Sequence, residues 1–258
     1  MLANRLLRQR QLGLGLVELM VGVTIGLIVA AGASMVAVNQ INEHRRLMLE
    51  TQVQQDLRTA ADLLQQDLRR AGFRGSAEAG VWAPSKAAGS FNETGPQLAS
   101  SSPYSTFTVS ASTNTGATAT YLYARLDPGS SSYNQSGTPW DNEHFGFKWN
   151  KGNGVLYIQL GLSEDGQPNW QPITDPESVV VTDFSIDLSE QPINLGDFCD
   201  QSCGFAGGPA CPTQKVREVK FKIVGVATHS LKDKDHVVRT LTGAERIRAD
   251  AIDGACPS

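Results

Sequence analysis

"QRQLGLGLVELMVGVTIGLIVAAGASMVAV", residues 9–38, decides how the rest of the chain is read. From Leu14 to Val38 the run holds 25 residues and one ionisable side chain, Glu18. About 20 apolar helical residues cross the hydrocarbon core of a bilayer, so this run is long enough to span it. Arg5, Arg8 and Arg10 precede it with no acidic residue among them. That asymmetry favours a cytoplasmic N-terminus and places everything beyond about residue 40 outside the cytoplasm. Arg45 and Arg46, just past the far end, weaken the bias. A plain signal anchor would suit the run, and so would a cleaved secretory signal ending at Ala31-Gly32-Ala33. Glu18 suits neither. A carboxylate costs up to about 3 kcal/mol at the centre of a spanning helix and less near an interface, and such groups ordinarily have a partner.

The remaining composition is that of a folded chain. Of 258 residues 40% are hydrophobic and 19% charged, with 25 glycines, which argues against both disorder and a multi-spanning protein. The net charge of −4 gives no support to a broad nucleic-acid-binding surface. Without residues 1–13, 19 basic residues face 26 acidic ones, a net charge of −7. After the apolar run, Ile41, Val53, Leu57, Ala60, Leu64, Leu68 and Ala71 recur at mostly helical spacing. No proline or glycine interrupts residues 39–71, and "RRAGFRG" supplies stop signals at Gly72 and Gly75. One helix from Leu14 to Gly72 would run about 88 Å at 1.5 Å per residue.

Residues 73–103 are rich in Gly, Ala, Ser and Pro and read as loop. Strands are expected in "YSTFTVS" from 104, "ATATYLYAR" from 117, "VLYIQLG" from 155, "VVVTDFSIDL" from 179 and "VREVKFKIVGVAT" from 216. The predicted fold class is α+β: a long N-terminal helix packed on one face of an antiparallel sheet.

Gly13 followed by "LGLVELMVGVTIGLIV" resembles the processing site of type IV prepilins and type II secretion pseudopilins. The long helix, the "LLQQDLRRAGFRG" at its end and the β-rich head with late cysteines most resemble PilW-type minor pilins. The resemblance implies a leader of residues 1–13 cut after Gly13 by a prepilin peptidase, with Leu14 as the N-methylated new N-terminus. It departs from the family at Leu14, where phenylalanine or methionine is usual. Glu18 becomes the fifth mature residue, a register key pairing with the new amine of a neighbouring subunit. The implied division is a leader at 1–13, a transmembrane or fibre-core half-helix at 14–38, an amphipathic half-helix at 39–72 and a β-rich periplasmic or extracellular head at 73–258. The function implied is that of a minor pilin that helps prime type IV pilus assembly and sits at or near the tip. Its implied partners are the peptidase, other minor pilins, the major pilin, the inner membrane and a tip adhesin. A large minor pseudopilin, or a pilin-anchored adhesin or DNA-uptake component, are the alternatives. A DNA-uptake role would call for a basic patch on the head; "REVKFK" at 217–222 and "HSLKDK" at 229–234 are the locally basic stretches.

Cys199, Cys203, Cys211 and Cys256 are even in number and, outside the cytoplasm, predict disulfides. Pairing Cys199 with Cys203 and Cys211 with Cys256 is the favoured connectivity of three. Their spacing lacks the paired knuckles of a zinc site. His44, His144, His229 and His236 form no metalloprotease motif, and no nucleophile elbow is present. "DNEH" at 141–144 and "DKDH" at 233–236 read as solvated turns rather than metal sites, and Gly152-Asn153-Gly154 as a hairpin turn. Asn92 and Asn134 stand in glycosylation sequons that carry no weight in a bacterial pilin. Gly22 and Gly26 form a small-xxx-small pair suited to close helix approach. No catalytic residue, metal or cofactor is expected.

Overall fold

A computed structural model describes residues 15–75, 103–112, 115–126, 132–133, 138–199, 201–206, 211–228 and 237–253. The chain divides into two units, Met1–Met48 and Leu49–Ser258. In the first, the described residues are helical from Leu16 onward and nearly all exposed. The helix α1 (Leu16–Leu68) begins there and ends in the second unit. Its buried residues, Val53, Leu57, Ala60, Ala61, Leu64, Asp67 and Leu68, all lie in the second unit. The expected stripe is therefore buried from Val53 onward, whereas Ile41 is 54% exposed. Among the described residues Ile41 stays exposed, so helical spacing alone did not make it part of the core.

The helix stops at Leu68, four residues before the expected Gly72. Residues 69–72 form a turn in which Gly72 adopts φ +79°, a conformation costly for any side chain. The Gly72 N–H leaves the helix to donate to the Leu122 carbonyl at 2.8 Å. The chain end of the helix is thus fixed by a sheet contact as well as by glycine.

Two antiparallel sheets replace the single sheet expected. The first is a five-stranded meander, β1 (Phe107–Ser112), β2 (Gly116–Leu122), β3 (His144–Asn150), β4 (Val155–Leu162) and β5 (Pro168–Pro172), in sequence order. The second holds β6 (Val179–Asn194), β7 (Thr213–Ala227) and β8 (Val238–Arg246), with the short β9 (Ala251–Asp253) also on β7. The central strand β3 was not expected from the sequence, because it follows a run of turn residues. Its alternation of Phe145, Phe147 and Trp149 with smaller or polar residues is nevertheless a two-residue period. The turn at Gly152–Gly154 joins β3 to β4 as expected, with Asn150 Oδ1 accepting from the Gly152 N–H at 2.9 Å.

One apolar cluster joins the buried stripe of α1 to both sheets. On the second sheet the helix comes so close that a Cβ at Gly225 would lie 2.9 Å from Leu57 Cδ2. Burying each such leucine side chain contributes roughly 1.5–3 kcal/mol. The sheets are tied to each other by the Trp149 indole, which donates to the Val181 carbonyl at 3.0 Å where the β6–β7 register shifts. The architecture is α+β and pilin-like: one long N-terminal apolar helix whose later turns pack on antiparallel sheets.

Candidate assembly site

The candidate site is the start of α1. Gly13 and Leu14 lie outside the described residues. Glu18 stands in the first helical turn, where an acidic side chain complements the positive end of the helix dipole. It is the only ionisable residue from Leu16 to Val38, and it is exposed. Around it Leu16, Val17, Leu19 and Met20 are 77%, 73%, 59% and 60% exposed. The other polar side chains of this run satisfy themselves on their own helix. Thr24 Oγ1 donates to the Met20 and Val21 carbonyls at 3.0 and 2.9 Å, and Ser34 Oγ to Ala30 at 2.8 Å. Glu18 differs: among the described residues it has no hydrogen-bond or ion-pair partner. Gly22 and Gly26 have no atom within 4 Å of where a Cβ would stand, so both flanks are open to another helix. By length and composition this exposed apolar stretch is long enough to cross a bilayer, which is consistent with membrane anchoring.

In the second unit three buried ionisable side chains, whose burial the sequence did not reveal, are each held by hydrogen bonds. Asp67 is 8% exposed and accepts hydrogen bonds from the Tyr121 and Tyr123 hydroxyls, the latter at 2.9 Å. Burial raises its pKa above the ordinary carboxylate value, opposed by those two hydrogen bonds and by the charges of Arg70 and Arg125. The same burial and the Asp67 charge push both tyrosines upward. Asp67 follows Leu64 by three and Ala60 by seven, so a carboxylate on the apolar stripe was the available signal.

Glu143 corrects the expectation of a solvated turn at 141–144. It is fully buried, accepting from Tyr104 Oη at 2.8 Å, the Arg125 N–H at 3.0 Å and the Trp140 N–H at 2.7 Å. Three donors converge because the one-turn helix Asp141–Glu143 packs on the end of the meander, which the sequence alone does not reveal. Burial lowers the pKa of the neighbouring His144, against the pull of Asp141 and Glu143. The third group, Arg217, is 2% exposed and donates to the carbonyls of Ser105 and Ala249 at 2.5 and 2.9 Å. Among the described residues no group of His, Cys, Asp and Glu is arranged to hold a metal; the "DKDH" stretch, His229 and both sequon asparagines, Asn92 and Asn134, lie outside them.

The cysteine connectivity differs from the expectation. Cys203 is joined to Cys211, and Cys199 is disulfide-bonded to a residue other than Cys203. The β6–β7 ladder explains this. It pairs Asn194 with Thr213, and the Leu195 N–H donates to Pro212 at 2.9 Å. Cys211 is thereby folded back over the connecting loop, 2.6 Å from the position of a Cβ on Gly196. Cys256 lies outside the described residues.

Residues 46–247 match the family described as prepilin peptidase-dependent protein B. The chain belongs to that family. Residues 8–34 match the prokaryotic N-terminal methylation motif, a range that contains Gly13, Leu14 and Glu18. No curated protein and no solved structure matches the chain. This member of the prepilin peptidase-dependent protein B family is a type IV pilin-like subunit that depends on prepilin peptidase.

Proposed function

We propose that this family member is a minor pilin that helps prime type IV pilus assembly and is incorporated at or near the tip. In this proposal residues 1–13 are a leader, the peptidase cuts between Gly13 and Leu14, and Leu14 is N-methylated. The helix from Leu14 to Val38 first anchors the subunit in the inner membrane with its head in the periplasm, then enters the fibre core at the cell surface. Other minor pilins and the major pilin supply the neighbouring helices. The subunit acts by binding and shape rather than catalysis.

The observation that carries the proposal is Glu18: one carboxylate without a partner among the described residues, in the first turn of an exposed apolar helix, within the methylation-motif match. Cleavage after Gly13 would create a cationic amine four residues before it. In an apolar surrounding either charge alone is costly, and pairing the amine of one subunit with the Glu18 of the next removes both penalties together. Only one helix register satisfies the pair, so the same interaction selects the stagger between subunits.

N-terminal mass spectrometry of the protein from membrane and sheared-fibre fractions tests the proposal. A chain beginning at N-methylated Leu14 in both fractions is the expected result. A start at Ser34 or Met1 would overturn it. Replacing Gly13 with a bulky residue should leave the leader attached, and normal processing of that variant would remove the cleavage assignment.

A further inference from the structure

In the second sheet β8 is paired on one side, to β7, without a bulge from Val238 to Arg246. Just beyond its two ends the Val237 carbonyl accepts from the Ala227 N–H at 3.1 Å, and the Ile247 N–H donates to the Arg217 carbonyl at 3.0 Å. Hydrogen bonding alternates along an antiparallel ladder, so the odd-numbered residues of β8 bond to β7. The N–H and C=O groups of Val238, Thr240, Thr242, Ala244 and Arg246 therefore point away from it. Of these groups, among the described residues, the Val238 carbonyl alone has a partner, Arg239 Nη1 at 3.0 Å. Two other edges are blunted in the ways by which sheets avoid further pairing. β5 holds Pro168 and Pro172. β6 holds Pro192, and near its start the Val181 N–H donates to the Gly154 carbonyl at 2.8 Å while the Val181 carbonyl accepts from the Trp149 indole. β8 has no proline. Its charged side chains are drawn aside, Arg239 to Glu50, Glu245 to Arg69 at 3.0 Å and Arg246 to Asp250 at 3.4 Å.

We infer that β8 accepts an extended segment of another protein as an added antiparallel strand. In such pairing the main chain supplies affinity and the side chains that come to lie opposite supply selection. A charge towards each end of the edge and a gap between them specify the occupant. Opposite Arg239 an acidic residue fits, and opposite Glu245 a basic one, each joining an ion pair already in place. Opposite Gly243 a large apolar side chain fits. The Phe221 ring fills the space that a side chain on residue 243 would need, and the arriving group would cover the tip of that ring. From its N-terminus the occupant therefore reads basic, any, large apolar, any three, acidic. β8 itself has that order in Arg239, Leu241 and Glu245. A second copy of the chain is nonetheless not the occupant. α1 runs alongside β8 in the same direction, Glu50 beside Arg239 and Arg69 beside Glu245. Two antiparallel β8 strands would set two α1 helices in opposite directions, which two subunits anchored in one membrane, as proposed above, do not allow. Strand addition itself depends on the head alone, so it stands or falls apart from leader processing.

The test uses the full processed chain in micelles of an uncharged detergent. The probe is a fluorescein-labelled peptide with the sequence of residues 238–246, which supplies the complementary order without a helix. Anisotropy should show saturable binding, and none up to about 1 mM peptide would overturn the inference. N-methylation of the peptide at the residue equivalent to Thr242, whose N–H would face β8, should weaken binding at least about tenfold. N-methylation at the residue equivalent to Leu241, whose N–H would face away, should change it by less than about twofold. That contrast leaves the protein untouched, so a lost fold cannot imitate it; equal effects of the two would overturn strand addition. In the protein, Thr242→Pro removes one outward donor and no bond to β7, and should likewise weaken binding at least about tenfold. A peptide with its acidic residue and its first arginine exchanged should bind at least about threefold more weakly; equal binding would overturn the stated chemistry of the occupant. Light scattering should show that the natural chain does not dimerise through this edge. A dimer that Thr242→Pro dissolves would assign the edge to a second copy and overturn the choice of partner.

Discussion

Asp67→Asn is the substitution whose outcome says most about how the head is held. The carboxyl is buried against two phenol donors, and its pKa is raised above the unfolded value of about 3.9. Below the unfolded pKa the group is protonated in both states and contributes no pH dependence. As pH rises past that value, the unfolded chain gives up the proton first, while the folded chain retains it until the raised folded pKa is reached. In that window the folded state binds more protons, so stability falls with rising pH. Each unit of pKa displacement corresponds to about 1.4 kcal/mol. Asparagine keeps the size and one acceptor oxygen, and a tyrosine hydroxyl can turn to accept from its amide. The variant should therefore lose this slope and, near neutral pH, match or exceed the natural protein in stability. Asp67→Ala should instead strand two buried hydroxyls, at about 1–3 kcal/mol each. Denaturant unfolding from pH 3 to 9, followed by the emission of buried Trp149, provides the measurement. Parallel pH profiles for Asp67→Asn and the natural chain would refute the argument.

Glu18→Ala or Glu18→Val should leave leader cleavage intact and reduce the share of subunit in sheared fibres; normal incorporation of the valine variant would show that no ion pair is needed. Leu64→Ala removes a fully buried side chain between helix and sheets and should cost about 2–5 kcal/mol in the same unfolding assay. Non-reducing peptide mapping should recover a Cys203–Cys211 peptide and pair Cys199 with Cys256, the one cysteine left; a Cys199–Cys203 peptide or free thiols would contradict this. Opening the short Cys203–Cys211 loop should lower stability by about 2.5 kcal/mol on a chain-entropy estimate.

What the sequence determined by itself is local. Glu18 inside an apolar run and the helical stripe from Val53 to Leu68 are readable because each rests on spacing along one segment. Strands β1, β2, β4, β6 and β7 are readable for the same reason, and in β3 the two-residue period of Phe145, Phe147 and Trp149 is masked by the turn residues before it. The tertiary structure decided what depends on segments far apart in the chain. Two sheets form instead of one because β6 pairs with β7 and not with the meander, a choice of partner that strand alternation does not encode. Cys203 meets Cys211 because the β6–β7 register folds the loop back on itself. Glu143 is buried because donors from residues 104, 125 and 140 converge on it.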